Sequence, residues 1–102
     1  MIYQQKYLQV KLLLGNVCNY ELKGIYRPQA YLYDGSGKYC TECQMTITKQ
    51  PIQPKESLMV NAVLLAPHGY GDQLVVGSLL TLQNGLDVEA KAIVTEIIGY
   101  SQ

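Results

Sequence analysis

The side chains with the most reactive chemistry in this sequence are three cysteines and one histidine. Cys40 and Cys43 have C-x-x-C spacing. Cys18 and His68 could complete a set of three thiolates and one imidazole, which zinc accepts as ligands. Residues three apart in a β-strand point to opposite faces, however, so the C-x-x-C pair could share a metal only at a bulge or a turn. The sequence leaves open whether these four side chains meet, and we predict no metal site.

Other patterns for catalysis are weak. His68 is the only histidine and lies in a glycine-rich segment, where the sequence places no nucleophile beside it. The segment Gly35-Ser36-Gly37-Lys38 matches only the end of the phosphate-binding G-x-x-x-x-G-K-S/T pattern, because the earlier glycine is missing and Tyr39 follows the lysine. A thioredoxin-like use of the C-x-x-C pair needs a helix amino terminus, which the pattern does not predict. We therefore predict a protein that is not an enzyme and uses neither a nucleotide nor a cofactor, with a zinc-dependent hydrolase as the enzymatic alternative.

Length and composition limit the class of protein. With 102 residues the chain has room for one domain with one core, which we place at residues 1–102. Eight basic and eight acidic side chains cancel, and an apolar fraction of 48% is ordinary for a globular protein. No apolar run approaches the roughly 20 residues of a membrane helix, and residues 1–6 lack the apolar core of a signal peptide. These features, with cysteines that we expect to be free thiols, indicate a cytoplasmic protein without a membrane partner.

Alternation of apolar and polar residues recurs along the chain between segments rich in Gly, Pro, Asn and Asp. This period of two is typical of β-strands with one face in a core. It predicts six strands, over residues 7–14, 27–33, 39–49, 58–65, 73–82 and 88–98. Segments 15–26 and 50–56 are predicted connections, and the dipeptide signals at 34–37 and at Asn84-Gly85 predict hairpin turns.

Six strands in one small domain favour a closed sheet. An open sheet would leave two bare edges, whereas a barrel pairs them, and 102 residues supply about the right length of chain. We therefore predict an all-β fold, a six-stranded antiparallel closed β-barrel. The sixth strand adds a further expectation, because Val88, Ala90, Ala92 and Val94 share one face while Ile93 and Ile97 lie on the other. Apolar residues on both faces require a second layer or a partner.

Several short motifs resemble one known barrel family. The segment Lys23-Gly24-Ile25-Tyr26-Arg27-Pro28-Gln29-Ala30-Tyr31 resembles Lys-Gly-Tyr-Arg-Pro-Gln-Phe-Tyr in the third, C-terminal β-barrel domain of elongation factor Tu. Four later segments resemble that family's Pro-Gly-Asp-Asn-Val, Ile-His-Pro, Phe-Ala-Ile-Arg-Glu-Gly and Val-Val-Ala-Lys-Val motifs, in the same order, at residues 54–60, 65–67, 80–85 and 93–97. The resemblance covers residues 8–99 and implies a stand-alone copy of that barrel.

The resemblance also implies where a partner would bind. In that family the barrel packs against the nucleotide-binding domain and touches the T stem of aminoacyl-tRNA, partly through the Arg-Pro-Gln strand and the Glu-Gly turn. The matching positions here are Arg27, Gln29, Asn84 and Gly85. Arginine, glutamine and a glycine amide can donate to phosphate or ribose oxygens without selecting a base. Arg27 is the only arginine, however, and a chain with no net charge gains little from counterion release on RNA.

Two functions from different classes follow. In the first, the chain is a binding module that contacts another protein or its own copies through an exposed apolar or tyrosine-lined patch. In the alternative, it is an RNA- or tRNA-binding translation accessory protein. For both, the predicted binding residues are Tyr26, Arg27, Gln29, Tyr31, Asn84 and Gly85.

Overall fold

Almost all regular structure in this computed structural model, which describes residues 7–33, 39–70 and 73–101, is β-strand. The hairpin predicted at residues 34–37 lies outside the described residues. The strands are numbered in chain order, and a short 3₁₀ helix, Pro67–Tyr70, follows the fifth. Their bounds are β1 Tyr7–Asn16, β2 Leu22–Tyr26, β3 Gln29–Leu32, β4 Cys40–Ile52, β5 Ser57–Leu64, β6 Leu79–Asn84 and β7 Asp87–Ser101.

Six of these strands form a closed antiparallel ring. Neighbours follow the order β4-β3-β6-β7-β1-β5, and β5 pairs back to β4, which closes the barrel. β2 stands outside the ring and pairs with the second half of β4. The predicted all-β, six-stranded antiparallel barrel is therefore confirmed, with β2 as an additional strand.

The core follows the alternation of each strand. On β1, Val10, Leu12 and Leu14 are fully buried, while Lys11 and Leu13 between them face outward. The inward residues of the other barrel strands complete one apolar cluster. Tyr70 of the 3₁₀ helix joins that cluster, and its hydroxyl donates a hydrogen bond of 2.7 Å to the carbonyl oxygen of Ala30. A tyrosine thus adds a buried ring to the core and satisfies its hydroxyl on a strand backbone.

Four predicted boundaries are wrong. The predicted connection 15–26 contains β2. The predicted strand over 27–33 is limited to Gln29–Leu32, because Pro28 has no N–H to donate and Tyr33 has a φ of 66°. Segment 73–78 forms a loop, so β6 begins at Leu79. β4 continues through Pro51 to Ile52 because a proline is tolerated where no ladder hydrogen bond is required of its nitrogen.

β7 contains bulges that change which side chains face the core. Leu82 pairs with Ala90 whereas Gln83 pairs with Val88, so Glu89 is the extra residue of a bulge. Two further shifts lie opposite β1, between Val94 and Glu96 and between Ile97 and Gly99. Each bulge reverses the alternation after it. The predicted faces of Val88 and Ile97 are therefore wrong, since Val88 is exposed and Ile97 packs against the core.

Candidate interaction surfaces of the barrel

The predicted arginine and glutamine lie at one end of β3 on the outside of the barrel. Gln29 is exposed and pairs with Glu42 of β4 on one side and Gln83 of β6 on the other. Nη2 of Arg27 lies 3.2 Å from Oε1 of Glu42, and both side chains are partly exposed. This end of β3, which we call the amide face, consists of Arg27, Gln29, Glu42 and Gln83. The charge of its arginine is already matched by a carboxylate.

The other predicted binding residues divide between this face and its surroundings. Tyr31 lies on the same outer side of β3 as Gln29 and is half-buried. Asn84 ends β6 opposite Asp87, so the turn between β6 and β7 consists of Gly85 and Leu86. Gly85 has a φ of 64°, a conformation that favours glycine at the first position of a two-residue hairpin loop. The predicted turn is therefore confirmed, one residue later than Asn84-Gly85.

Tyr26 contacts a buried carboxylate at the β7 bulge. Its hydroxyl donates to Oε1 of Glu89 at 2.9 Å, and the hydroxyl of Tyr20 donates to Oε2 of the same carboxylate. Glu89 is only 4% exposed. The hydrogen bond to Glu89 is the largest cause of the raised pKa of Tyr20. For Tyr26, burial raises the pKa most, and the hydrogen bond to Glu89 is the second cause. Both phenols therefore stay protonated, as donors to this carboxylate, well above neutral pH.

The cysteines and the histidine do not meet in the described part of the chain. Cys43 is buried in the core, and Cys40 is half-buried three residues earlier on β4. Sγ of Cys18 donates instead to Oδ1 of Asn16 at 3.0 Å, in the loop after β1. His68 is exposed on the 3₁₀ helix. No cluster of three His, Cys, Asp or Glu side chains able to hold a metal ion occurs among the described residues.

A row of apolar side chains crosses the outside of the barrel. Met59 on β5 pairs with Leu13 on β1, Leu13 pairs with Ile93 on β7, and Ile93 pairs with Leu79 on β6. Their exposed fractions are 50%, 37%, 40% and 52% in that order. With neighbouring strands about 4.8 Å apart, this apolar row is about 14 Å long. We call these four residues the apolar row.

Polar residues border the apolar row on both sides. On one side of the row, two residues from Met59, Leu13 and Ile93, the next outward positions are Ser57 on β5, Gly15 on β1 and Lys91 on β7. In the opposite direction they are Asn61, Lys11 and Glu96. Nζ of Lys11 lies 4.0 Å from Oε1 of Glu96, whereas no carboxylate of the described residues lies that close to Nζ of Lys91. The row and these six residues together form what we call the wall.

The wall contains a shallow depression. It has a volume of about 240 Å³ and lies beside Leu13, Leu79 and Ile93. Gly15 forms part of its lining, and a Cβ added there would lie 3.4 Å from Oγ of Ser57. The absence of a side chain at Gly15 therefore keeps this part of the wall low.

Comparisons with protein-family models, with curated proteins and with solved structures gave no match. Within the described ranges, no helix has the length and apolar character needed to span a bilayer.

The sequence gives a partial indication of the apolar row and none of the buried carboxylate. Ile93 was expected on a second apolar face of its strand, and the run Leu12-Leu13-Leu14 must place one leucine outside if its neighbours are inside. Glu89, by contrast, becomes buried only because β7 has a bulge at that residue. Bulges depend on pairing with a distant strand, so local alternation does not indicate them.

Proposed function

We propose that this chain is a non-enzymatic β-barrel module that binds another protein through the outside of its barrel. The observation that carries the proposal is the apolar row, four directly paired side chains that remain substantially exposed. Removing adjoining apolar side chains from water lowers the free energy, and contiguous exposed patches commonly mark contact surfaces. The row therefore gives a protein partner a continuous apolar strip across four strands.

The sequence resemblance supports the same function. The motifs at residues 23–31 and 80–85 resemble those of the C-terminal barrel of elongation factor Tu, and that barrel packs against a neighbouring domain. By this resemblance, the outside of the barrel would likewise pack against another folded domain or protein. As part of the proposal, the chain is thus a translation-factor-like barrel that acts by binding.

RNA contact through the amide face is the second candidate function. The exposed amide of Gln29 and the half-buried amide of Gln83 lie on adjacent strands, and such groups can donate to phosphate and ribose oxygens. Arg27 would first have to leave Glu42 before it could bind a phosphate at full strength. Because basic and acidic side chains are equal in number, the electrostatic gain would also be small. The protein-binding function is favoured for these reasons.

Capture by immobilised protein from a cell lysate tests the contact surface. We expect Leu79→Ser with Ile93→Ser to lose the captured protein, and the matched pair Arg27→Ala with Gln29→Ala to retain it. Circular dichroism of each variant checks that the barrel is folded. If only the Arg27→Ala with Gln29→Ala variant lost the captured protein, the contact would lie on the amide face, which would contradict the role of the apolar row.

A filter-binding assay with tRNA at two salt concentrations tests the alternative. Contacts to phosphates weaken as salt rises. Retention of tRNA that falls with salt and is lost in Arg27→Ala would favour RNA binding over the proposed function. We expect no retention above that of a neutral control protein.

A further inference from the structure

The wall has a pattern of charge and shape that fits a second copy of the same chain. Consider two walls facing each other across a two-fold axis that runs along the apolar row. Such an axis keeps each strand opposite its own copy but exchanges the two sides of the row. Each residue of the row then faces its own counterpart, which gives Met59, Leu13, Ile93 and Leu79 an apolar partner surface of matching length.

The same rotation brings opposite charges together. On β7, Lys91 lies on one side of Ile93 and Glu96 on the other. Exchange of the two sides places Lys91 of one copy opposite Glu96 of the second copy, and the symmetry repeats the pair. Among the described residues Lys91 has no carboxylate within 4.0 Å, so it is available for this contact. An axis along the strands, between β7 and β1, would instead place Lys91 opposite Gly15, which gives this lysine no carboxylate partner.

The neighbouring strand gives an independent match of shape. On β1 the exchange places Gly15 of one copy opposite Lys11 of the other. Gly15 has no side chain and borders the depression of about 240 Å³, so the long side chain of Lys11 has room there. On β5 the exchange places Ser57 opposite Asn61, two polar side chains that can share a hydrogen bond. All three bordering pairs are thus compatible in this one arrangement.

From these relationships we propose that the wall is the interface of a symmetric dimer, formed by two copies packed face to face about the apolar row. This deepens the proposed function, because it names a second copy of this chain as a partner of the same surface. Sheets that pack face to face align their strands within about 30°, which antiparallel strands across this axis satisfy.

The size of the wall suits a modest affinity. A standard interface takes about a tenth of the surface of a small protein from each partner, which is about 650 Å² of the 6464 Å² exposed here. The wall is about 14 Å across its four strands and, from Ser57 to Asn61, about 14 Å along them, so the contact is smaller than a standard interface. Because a barrel is convex, contact weakens away from the row, and we expect a dimer in equilibrium with monomer.

Sedimentation equilibrium over a range of concentrations tests the dimer with charge reversals. We expect the wild-type mass to rise from the 11.4 kDa of one chain toward twice that value. Lys91→Glu alone and Glu96→Lys alone should each weaken the dimer at least about tenfold, because like charges then face each other. The double variant, Lys91→Glu with Glu96→Lys, should restore it. Lys23→Glu, an exposed charge on β2 outside the wall, is the matched control and should have no effect.

Three results would overturn the dimer: a wild-type mass of one chain at every concentration, a dimer indifferent to both single reversals, or a double variant that does not recover. The lysate experiment separates this failure from that of the proposed function. A monomeric chain that captures another protein only with an intact apolar row removes the dimer and keeps the binding function. A monomeric chain without row-dependent capture removes both.

Discussion

The hydroxyl of Tyr26 donates a hydrogen bond of 2.9 Å to Oε1 of Glu89 and so joins β2 to the bulge of β7. β2 lies outside the barrel ring and pairs only with β4, so this bond is a second attachment for that strand. Tyr20 donates to the other oxygen of the same carboxylate. A buried carboxylate with two phenol donors is tolerated, whereas one that loses a donor is costly.

Tyr26→Phe is therefore expected to destabilise the fold. The change removes one donor to a buried carboxylate and keeps the ring, so the free energy of unfolding should fall by about 1.5–3 kcal/mol, the range for hydrogen bonds to charged groups. Urea unfolding followed by circular dichroism measures it. Tyr31→Phe, on the outer side of β3, is the control and should change stability by less than about 0.5 kcal/mol. Equal effects of the two substitutions would show that the Glu89 bond contributes nothing.

The residues that the alternation placed correctly are those whose environment is decided locally. On β1, Val10, Leu12 and Leu14 are buried, as a period of two predicts, because a regular strand alternates its side chains across the sheet. The alternation did not predict β2, because this strand has only one buried residue, Leu22, and because a positive φ at Gly24 interrupts its pairing. A strand without a repeating pattern depends on a distant strand for its formation.

The candidate site was harder to predict than the fold for the same reason. Tyr26 was expected on a binding surface, but its hydroxyl contacts Glu89 because a bulge 63 residues later turns that carboxylate inward. Arg27 and Gln29 were expected on the outside, and there they lie, yet the ion pair with Glu42 follows only from the register of β3 with β4. The composition of a strand indicates which residues are outside, while register decides which of them touch.

Asn16 is a second buried polar residue whose loss we expect to destabilise the fold. Its side-chain nitrogen donates to the carbonyl oxygens of Tyr20 and Ile52, each at 2.8 Å, and its oxygen accepts from the backbone nitrogen of Cys18 at 2.9 Å. Asn16→Asp replaces the donor by an acceptor and places negative charge beside two carbonyls. The cost should be about 3 kcal/mol or more. Thermal and urea unfolding both measure the loss.

The exposed neighbour Asn19 provides the control for this substitution. Asn19→Asp makes the same chemical change three residues later on the surface, where water solvates the new carboxylate. Its effect on stability should be within about 0.5 kcal/mol. If Asn16→Asp were tolerated equally well, the hydrogen bonds at the end of β1 would not be stabilising the barrel.

The turn between β6 and β7 provides a test of backbone conformation. Gly85 has a φ of 64°, and a Cβ added there would meet no heavy atom within 4 Å. Gly85→Ala should therefore destabilise the fold by about 1–2 kcal/mol through the left-handed conformation alone. Leu86→Ser is the control, because Leu86 is 98% exposed and burial of its side chain contributes little to stability. A Gly85→Ala variant as stable as the wild type would contradict this turn geometry.

Alkaline pH should unfold the protein partly through Cys43. Burial, and to a lesser extent Glu42, raises the pKa of this thiol from 9.0 to about 12. The unfolded chain therefore releases this proton first as pH rises. The contribution of the protonated Cys43 thiol to the free energy of unfolding is complete below pH 9. It is lost between about pH 9 and 12, at up to about 1.4 kcal/mol per pH unit. Tyr26 and Tyr70, whose pKa values burial also raises, add to the loss above their unfolded value of 10.0.

Between pH 9 and 10 the slope of unfolding free energy against pH should be shallower in Cys43→Ala than in the wild type, whatever stability the substitution removes at neutral pH. Urea titrations at quarter-unit pH steps provide the slopes, and parallel curves for the two proteins would show that the Cys43 thiol does not stay protonated in the folded barrel.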